Sequence, residues 1–427
     1  MSEDQVVGWQ AGPRPEWVSA VNDGQVPPIA EEAALPLQRD SLLSEARARL
    51  AIADGGMADF GDEAFLEPLD IFLEAIEKEA ELHLTGRWLT RRFLLRLLEV
   101  RLQLIAYLRA DPGVVEEVIG EPLFVTGAPR TGTTILYALL AEEPGLRAPL
   151  GWELLRPLPP PDPATFDQDP RIGLADRELR LPAEVVDSLD AIHEYGGRLP
   201  KECLSAMSFE LRSEEFTARY HVPTYTAWLD RCDMRPAYEM HRLVLQILQR
   251  RSKGRQWVLK SPVHLHSLPV LRRIYPDASI AITHRDPLAV LGSATSLIAT
   301  LRWAHSDHVD FQEIGRYHAG RYQADLDRLV TWSEDGTLGG DRVRHVQYDR
   351  FLADPMGAVR KLYGDLGRPL EPPAQGAMEA QLRSQRQGRH GAHRYSFDAL
   401  GLDMDEQRAG FARYQEYFGV ASELGAS

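Results

Sequence analysis

The segment Pro122-Leu-Phe-Val-Thr-Gly-Ala-Pro-Arg-Thr-Gly-Thr-Thr134 places a short apolar run before a glycine-rich turn, and the apolar helical pattern that follows starts at its end. This order predicts a buried strand, a loop and a helix N-terminus. Backbone N–H groups gathered at such a loop and helix N-terminus bind anions. The segment therefore predicts an α/β fold with an anion site where this strand ends.

The loop nearly fits the nucleotide-binding pattern G-x-x-x-x-G-K-[ST], because Gly127 and Gly132 have the required spacing. The lysine of that pattern is replaced by Thr133, and a cation appears instead inside the loop, at Arg130. In kinases and NTPases that lysine reaches the outer phosphates of the nucleotide. The loop is thus predicted to hold a single phosphate rather than the β- and γ-phosphates of ATP. The structural alternative is a plain Gly/Pro turn between strand and helix.

The composition narrows the class of protein. The chain has 427 residues, 44% of them hydrophobic and 26% charged, as in ordinary globular proteins. Its net charge of −15 argues against a nucleic-acid partner. Cys203 and Cys232 have neither metal-site nor disulfide-framework spacing, so we expect free thiols in a reducing compartment. With no leader-like N-terminus and no run of about 18 apolar residues, the sequence favours a cytoplasmic enzyme.

Strand and helix patterns alternate from residue 121 onward, which predicts a parallel sheet flanked by helices. We expect an N-terminal arm over 1–40, a helical extension over 41–120 that packs on the core, and the main domain over 121–427. The predicted strands are Leu123–Thr126, Trp257–Leu259, Ser279–Thr283 and Val343–Tyr348.

The helical pattern around residues 92–108 has a wide apolar face, with Arg92, Arg96, Glu99 and Gln103 on one stripe. A face of this width usually packs on a core. The alternative is an amphipathic helix on a membrane surface, which would belong to a non-catalytic, membrane-associated binding protein.

Further cations are predicted where later strands end. Lys260 ends an apolar strand in Trp257-Val-Leu-Lys-Ser-Pro262, and Arg285 lies just past another. Ser293 lies eight residues beyond Arg285, about 12 Å along a helix, so the two could flank one phosphate. Ion pairing with a nearby carboxylate is the structural alternative for either cation. Ligands bind at the carboxyl edge of such sheets, where all these residues fall.

The loop, the Arg–Ser pair and the strand-end lysine together resemble sulfotransferases that use 3′-phosphoadenosine-5′-phosphosulfate (PAPS). The similarity covers about residues 121–400 and implies the P-loop-like fold of that family. The Lys-Ser-Pro-x-His form resembles the branch with tyrosylprotein and many bacterial small-molecule enzymes. The resemblance implies that the loop binds the 5′-phosphosulfate and that Arg285 and Ser293 bind the 3′-phosphate. It also implies that Lys260 stabilises charge on the group being transferred. The implied cofactor-binding residues are Arg130, Thr131, Gly132, Thr133, Thr134, Arg285, Ser293 and Tyr348.

The resemblance also implies a glutamate base shortly after the first helix of the domain. Glu153, in Pro149-Leu-Gly-Trp-Glu153, is the candidate, expected at the mouth of the site beside Trp152. A base is needed because the pKa of an acceptor hydroxyl is high. A solvated loop glutamate is the alternative. Arg130 and Lys260 are the other expected catalytic residues, and no metal is expected, because the two cations take the role of Mg²⁺.

Several segments are less specific. The basic loop Arg389-His-Gly-Ala-His-Arg-Tyr395, within 385–400, resembles the segment that covers the nucleotide in this family. His264 and His266 are expected to be core or supporting residues. The aromatic segment Tyr220–Tyr225, with Trp228, is either core or the lining of an apolar acceptor pocket. The predicted acceptor is a hydroxyl of a hydrophobic small molecule or lipid, with peripheral membrane contact possible. The alternative function is a P-loop kinase or NTPase.

Overall fold

We analysed a computed structural model of the chain, which describes residues 8–54, 59–186, 189, 196–252, 254–387 and 397–424. The strands are β1 (Leu123–Thr126), β2 (Leu146–Arg147), β3 (Gln256–Lys260), β4 (Ser279–His284) and β5 (Val343–Gln347). The helices before β3 are α1 (Glu16–Asn22), α2 (Pro27–Ala34), α3 (Arg39–Asp54), α4 (Leu66–Glu79), α5 (Leu84–Ala110), α6 (Thr133–Ala141), α7 (Gly151–Leu155), α8 (Arg171–Val185), α9 (Leu204–Met207), α10 (Glu214–Arg219), α11 (Pro223–Leu229) and α12 (Arg235–Gln249). Those after it are α13 (Leu268–Ile274), α14 (Pro287–Trp303), α15 (Phe311–Glu334), α16 (Tyr348–Ala353), α17 (Pro355–Asp365), α18 (Pro372–Gln387) and α19 (Met404–Phe418).

The five strands form one sheet in the order β2-β3-β1-β4-β5, and every pairing is parallel. The predicted parallel sheet flanked by helices is confirmed. All four predicted strands are present to within one or two residues at each end. The sequence analysis missed β2, an edge strand of two residues, because so short a segment has no periodic pattern.

Side chains of β1 alternate between two hydrophobic layers, as the two-residue period of a strand requires. Leu123 and Val125 pack in a layer with residues of α6 and α17, including Leu136 and Val359. Phe124 faces the opposite side and belongs to the larger core, which also takes in residues of α5, α12, α14 and α15. Because both faces of the sheet are covered, its strands can be apolar throughout.

The N-terminal region lies on the body of the molecule. The described part of the predicted arm, residues 8–40, includes the helices α1 and α2. Trp9 donates a 3.0 Å hydrogen bond from Nε1 to Thr300 Oγ1 and stacks on Phe311. These contacts tie the start of the described chain to α14 and α15.

Helix α5 packs in the protein core rather than presenting its apolar face outward. Leu94, Leu97 and Leu98 are buried in the same hydrophobic core as the sheet. Its buried Arg101 forms an ion pair of 2.5 Å with Glu210. The core interpretation of this helix is therefore confirmed, and the membrane-surface alternative loses the face it depended on. Among the residues that the structure describes, no helix is long and apolar enough to cross a membrane.

The sheet topology fixes where a ligand can bind. From the central strand β1 the chain passes to β2 and β3 on one side, then crosses to β4 and β5 on the other. A crevice forms outside the carboxyl ends of parallel strands at such a reversal. The loop after β1 lies at this point, between the exits of β3 and β4.

Candidate active site

The backbone of the loop between β1 and α6 has the conformation of an anion cradle. Gly127 has φ +147°, and a Cβ there would lie 2.5 Å from the carbonyl oxygen of Thr283. Gly132 caps α6 with φ +87°, and Arg130 has φ +65° although it is not a glycine. Left-handed residues in such a turn point successive N–H groups inward. The positions of both glycines in the loop pattern thus have a physical reason.

The three threonine hydroxyls of the loop have different environments. Thr131 Oγ1 donates to Ala128 O at 2.6 Å and lies 2.5 Å from Thr283 Oγ1, so this buried hydroxyl braces the loop against β4. Thr133 is also buried, at the first position of α6. Thr134 is exposed at the loop mouth. The structure thus uses the Thr131 hydroxyl internally, whereas Thr134 lies on an exposed part of the loop and its hydroxyl accepts from Lys260 Nζ.

Strand β3 delivers Lys260 to the loop, as predicted. The side chain is almost fully buried, and Nζ lies 3.2 Å from Thr134 Oγ1. The same ammonium forms an ion pair with Glu202, which the sequence analysis did not single out. The backbone N–H of Cys203 donates to Lys260 O at 3.0 Å, fixing this segment against the strand end. A buried cation and a partly exposed carboxylate therefore meet beside the loop.

Strand β4 delivers Arg285 to the other side of the loop. Its Nη1 donates to Arg130 O at 3.0 Å, and its guanidinium lies over the Tyr348 ring at 4.2 Å. Tyr348 also packs on Gly132, where an added Cβ would meet its ring at 3.0 Å. The structure thus brings these four predicted cofactor-binding residues together around the loop backbone.

Arg285 forms an ion pair, the structural alternative given for it above, but its partner Glu423 was not predicted from the sequence. Glu423, near the C-terminus, accepts from Nε and Nη2 of Arg285 at 2.8 Å each. The neighbouring Asp286, the expected partner if Arg285 were structural, instead caps α14 through Leu288 N and pairs with Arg408. The guanidinium fork of Arg285 is thus directed at a carboxylate, which has the charge and bidentate geometry that a phosphate offers.

Ser293 is at the seventh position of α14 and is half-buried. Its proposed pairing with Arg285 on a phosphate stays a prediction. The segment Arg389–Tyr395 falls within 388–396, outside the described residues.

Glu153 is not at the mouth of the site, and this expected placement is wrong. Its side chain is fully buried, forms an ion pair with Arg147, and accepts from Leu150 N at 3.0 Å. Burial raises the pKa of Glu153, although Arg147 and the Leu150 N–H oppose the rise. Both carboxylate oxygens thus have partners from its own segment, α7 and the chain just before it. Its role as the base stays a prediction.

The remaining aromatic and histidine candidates belong to the interior. Tyr220 and Tyr225 are buried and pack on Phe72 of α4, so the core interpretation is confirmed for them. His264 is buried with its Nδ1 2.8 Å from Tyr238 OH, and burial lowers its pKa. His266 pairs with Glu214 and Asp325. None of these contacts reaches the loop.

The site lacks the acidic strand-end residue by which P-loop NTPases hold Mg²⁺. The chain leaves β3 at Lys260 and β4 at Arg285, and Tyr348 follows β5. Two acidic residues, Asp286 and Asp349, lie next to these. Asp286 is engaged by Arg408 and by the backbone N–H groups of residues 288, 423 and 424, and the Asp349 carboxylate accepts from Arg350 N. Across the described ranges, no cluster of three or more His, Cys, Asp or Glu could hold a metal ion. The arrangement is suited to an anion with two separated phosphate-like groups.

Comparison with known proteins identifies the class. Residues 122–372 match the model of the sulfotransferase family, and the chain belongs to that family. The sequence-based resemblance is thereby confirmed, and with it the P-loop-like α/β fold.

Individual relatives sharpen the comparison. Two curated proteins, from Mycobacterium bovis and Mycobacterium tuberculosis, are both named omega-hydroxy-beta-dihydromenaquinone-9 sulfotransferase Stf3. They are 27% identical over 273 residues, which is 60% of this chain and 65% of each relative. The chain thus matches just under two thirds of their length.

Solved structures of mycobacterial sulfotransferases resemble the whole fold. STF9 from Mycobacterium avium superposes with a TM-score of 0.80 at 26% identity, covering 91% of this chain and 98% of the other. STF1 from M. tuberculosis H37Rv superposes with a TM-score of 0.74 at 28% identity, covering 88% of this chain and 98% of the other. The similarity therefore extends beyond the loop to the flanking helices.

Proposed function

We propose that this protein transfers a sulfuryl group from PAPS to a hydroxyl of a hydrophobic small molecule or lipid. The observation that carries the proposal is the placement of Lys260 and Arg285 on opposite sides of the β1–α6 loop. A loop of backbone N–H groups between two cations complements a nucleotide with a 5′-phosphosulfate and a second, separate phosphate. Membership of the sulfotransferase family supports the same donor.

The donor would be oriented by its two anionic ends. The loop N–H groups and the Thr134 hydroxyl, beside Lys260, would hold the 5′-phosphosulfate, with Arg130 at the exposed crown. Arg285 would hold the 3′-phosphate bidentately in place of Glu423. Ser293, farther along α14, is proposed as its second ligand. This division assigns recognition of PAPS over AMP to Arg285.

Charge stabilisation would be the main catalytic contribution. As the acceptor oxygen attacks sulfur, negative charge grows on the bridging oxygen and on the phosphate that leaves. Lys260 is buried, so its field is weakly screened there. Arg130 is a fixed cation that stabilises charge but does not readily donate a proton. The two residues thus replace the Mg²⁺ that a kinase needs.

A lipid-like acceptor is favoured by the relatives. Stf3 is named for a hydroxylated menaquinone derivative, a long apolar molecule with a terminal hydroxyl. We infer an apolar alcohol of that general class for this chain. The aromatic core residues Tyr220 and Tyr225 do not line its binding site, since they pack on α4.

The test is transfer of radiolabelled sulfate from PAPS to a panel of alcohols, run with EDTA. The panel compares a long-chain or isoprenoid alcohol, a simple phenol and a monosaccharide. The proposal expects labelled product with the apolar alcohol, unaffected by EDTA. ATP consumption that requires Mg²⁺, with no sulfuryl transfer to any acceptor, would instead establish the kinase alternative.

A further inference from the structure

Glu202 is a carboxylate at the loop that has no role in the proposed function so far. It lies two residues before the start of α9, and it pairs with Lys260 Nζ. Its second oxygen is 3.5 Å from Ser261 Oγ, the residue after β3. The side chain is 21% exposed, whereas that of Glu153 is 0% exposed. An acceptor can therefore reach Glu202 from solvent but cannot reach Glu153.

The distance between Glu202 and the loop is limited by Lys260, because Lys260 contacts both. Glu202 and the Thr134 hydroxyl both contact the same Lys260 nitrogen, the latter at 3.2 Å. Two groups on one nitrogen are at most about 6 Å apart, which is two hydrogen-bond lengths. An acceptor oxygen that is hydrogen-bonded to the Glu202 carboxylate would therefore lie close to a sulfuryl group on the loop. A general base needs this reach to the proton it removes.

We propose that Glu202 is the general base of the sulfuryl transfer. The proposal rests on the proposed function. The acceptor oxygen forms a bond to sulfur while the bond from sulfur to the bridging phosphate oxygen breaks. The proton of the acceptor hydroxyl passes to the Glu202 carboxylate, and the departing 3′,5′-bisphosphate keeps the electron pair. Lys260, between base and loop, stabilises the departing oxygen.

The contacts of Glu153, the other candidate base, support the assignment of Glu202. Glu153 already neutralises the buried Arg147 and caps the turn at Leu150. Removing one partner of a buried ion pair leaves an uncompensated charge, which is strongly destabilising. Substitution of Glu153 is therefore expected to act on stability alone. Substitution of Glu202 also removes a partner of the buried Lys260, so it is expected to act on the chemical step in addition to any loss of stability.

The experiment compares Glu202→Gln, Glu202→Asp and Glu153→Gln, with the exposed Glu142→Gln as the matched control. Three quantities are measured: kcat against pH, binding of 3′-phosphoadenosine-5′-phosphate, and melting temperature. Glu202→Gln should lower kcat by about 10²-fold or more and remove the fall in kcat at acidic pH. The Glu202→Gln variant should still bind the nucleotide. Glu202→Asp should lose less kcat and should keep the fall in kcat at acidic pH, which is the acidic limb of the profile. Glu153→Gln should melt at a lower temperature and keep the acidic limb.

Two other outcomes separate the hypotheses. An active wild-type enzyme whose Glu202→Gln variant keeps its rate and its acidic limb would overturn the base assignment while the proposed function stands. A wild-type protein that neither binds the nucleotide nor transfers sulfate would overturn the proposed function itself. If Glu202→Gln fails to fold, Glu202→Asp provides the test, because its carboxylate is one methylene farther from the acceptor. An unaltered kcat in Glu202→Asp would then contradict the proposal.

Discussion

Arg285 shows how one residue can combine structural and ligand-binding contacts. Its Nη1 holds the loop at Arg130 O, while its Nε and Nη2 are directed at Glu423. The face of the guanidinium lies on Tyr348. The fork is thus positioned on three sides before any nucleotide arrives, which reduces the entropic cost of binding a phosphate.

We expect Arg285→Ala to weaken binding of 3′-phosphoadenosine-5′-phosphate by at least about tenfold, because a bidentate charged pair is lost. Binding of AMP, which has no 3′-phosphate, should be reduced much less. Isothermal titration with both nucleotides measures the difference, and the KM of the acceptor provides a second comparison. Equal losses for the nucleotide and the acceptor would show that Arg285 only supports the loop.

At the level of single residues, the sequence predicted those that directly follow a strand. The loop follows β1, Lys260 ends β3 and Arg285 follows β4. These positions were predictable because the end of an apolar run in the sequence marks the end of a strand. Glu202 was missed because it follows no periodic element and belongs to no spacing pattern. Glu153 was placed at the mouth because sequence spacing shows neither its burial nor its pairing with Arg147.

The C-terminal segment beyond α19 is an element whose contact with the site the sequence did not reveal. The backbone N–H groups of Glu423 and Leu424 donate to Asp286 at 2.6 and 3.2 Å, and Arg408 pairs with the same carboxylate. The segment is thereby held beside α14, and Glu423 reaches Arg285. The two paired residues are 138 positions apart in the chain, beyond the range of any local pattern.

We expect Glu423→Gln to raise the affinity for 3′-phosphoadenosine-5′-phosphate by roughly two- to fivefold, because a partly exposed ion pair of this kind contributes up to about 1 kcal/mol. The exposed Glu416→Gln, on the preceding helix α19, is the control for a general change of charge. Nucleotide titrations of both variants measure the effect. If affinity falls instead, Glu423 supports Arg285 rather than competing with the phosphate.

At the scale of the whole molecule, a charged cluster around the buried Asp325 links three elements. His266, in the turn after β3, pairs with Glu214 of α10 and with Asp325 of α15. Arg321 and Arg328, also on α15, pair with Asp325. Burial alone would lower the pKa of His266, but the two carboxylates raise it to about 10. They are themselves held ionised, with lowered pKa values.

This cluster predicts how stability depends on pH. Because the pKa of His266 is raised from 6.5 to about 10 on folding, its contribution is complete below pH 6.5 and is lost as pH rises towards 10. We expect the melting temperature to fall over that range. His266→Gln should lower it at pH 6 and flatten the decline. The exposed His308→Gln should leave the decline as it is, and a decline unaltered by His266→Gln would contradict this account.

The α/β architecture of the whole molecule was predictable from the sequence, because each central strand is a continuous apolar run between polar turns. The strand order was not, since it depends on which crossover follows β3. The sequence favoured packing of α5 on the core without excluding a membrane surface, because a wide apolar face suits either. Tertiary contacts decide between these, and here α2 and α3 cover the helix.

The central claim is that the site recognises a nucleotide carrying both a 5′- and a 3′-phosphate. Isothermal titration of the purified protein with 3′-phosphoadenosine-5′-phosphate tests it most directly, with AMP and ATP–Mg²⁺ as competitors. We predict tight binding of the bisphosphate without metal, with AMP at least about tenfold weaker. Preference for ATP–Mg²⁺, or equal binding of AMP and the bisphosphate, would contradict the claim.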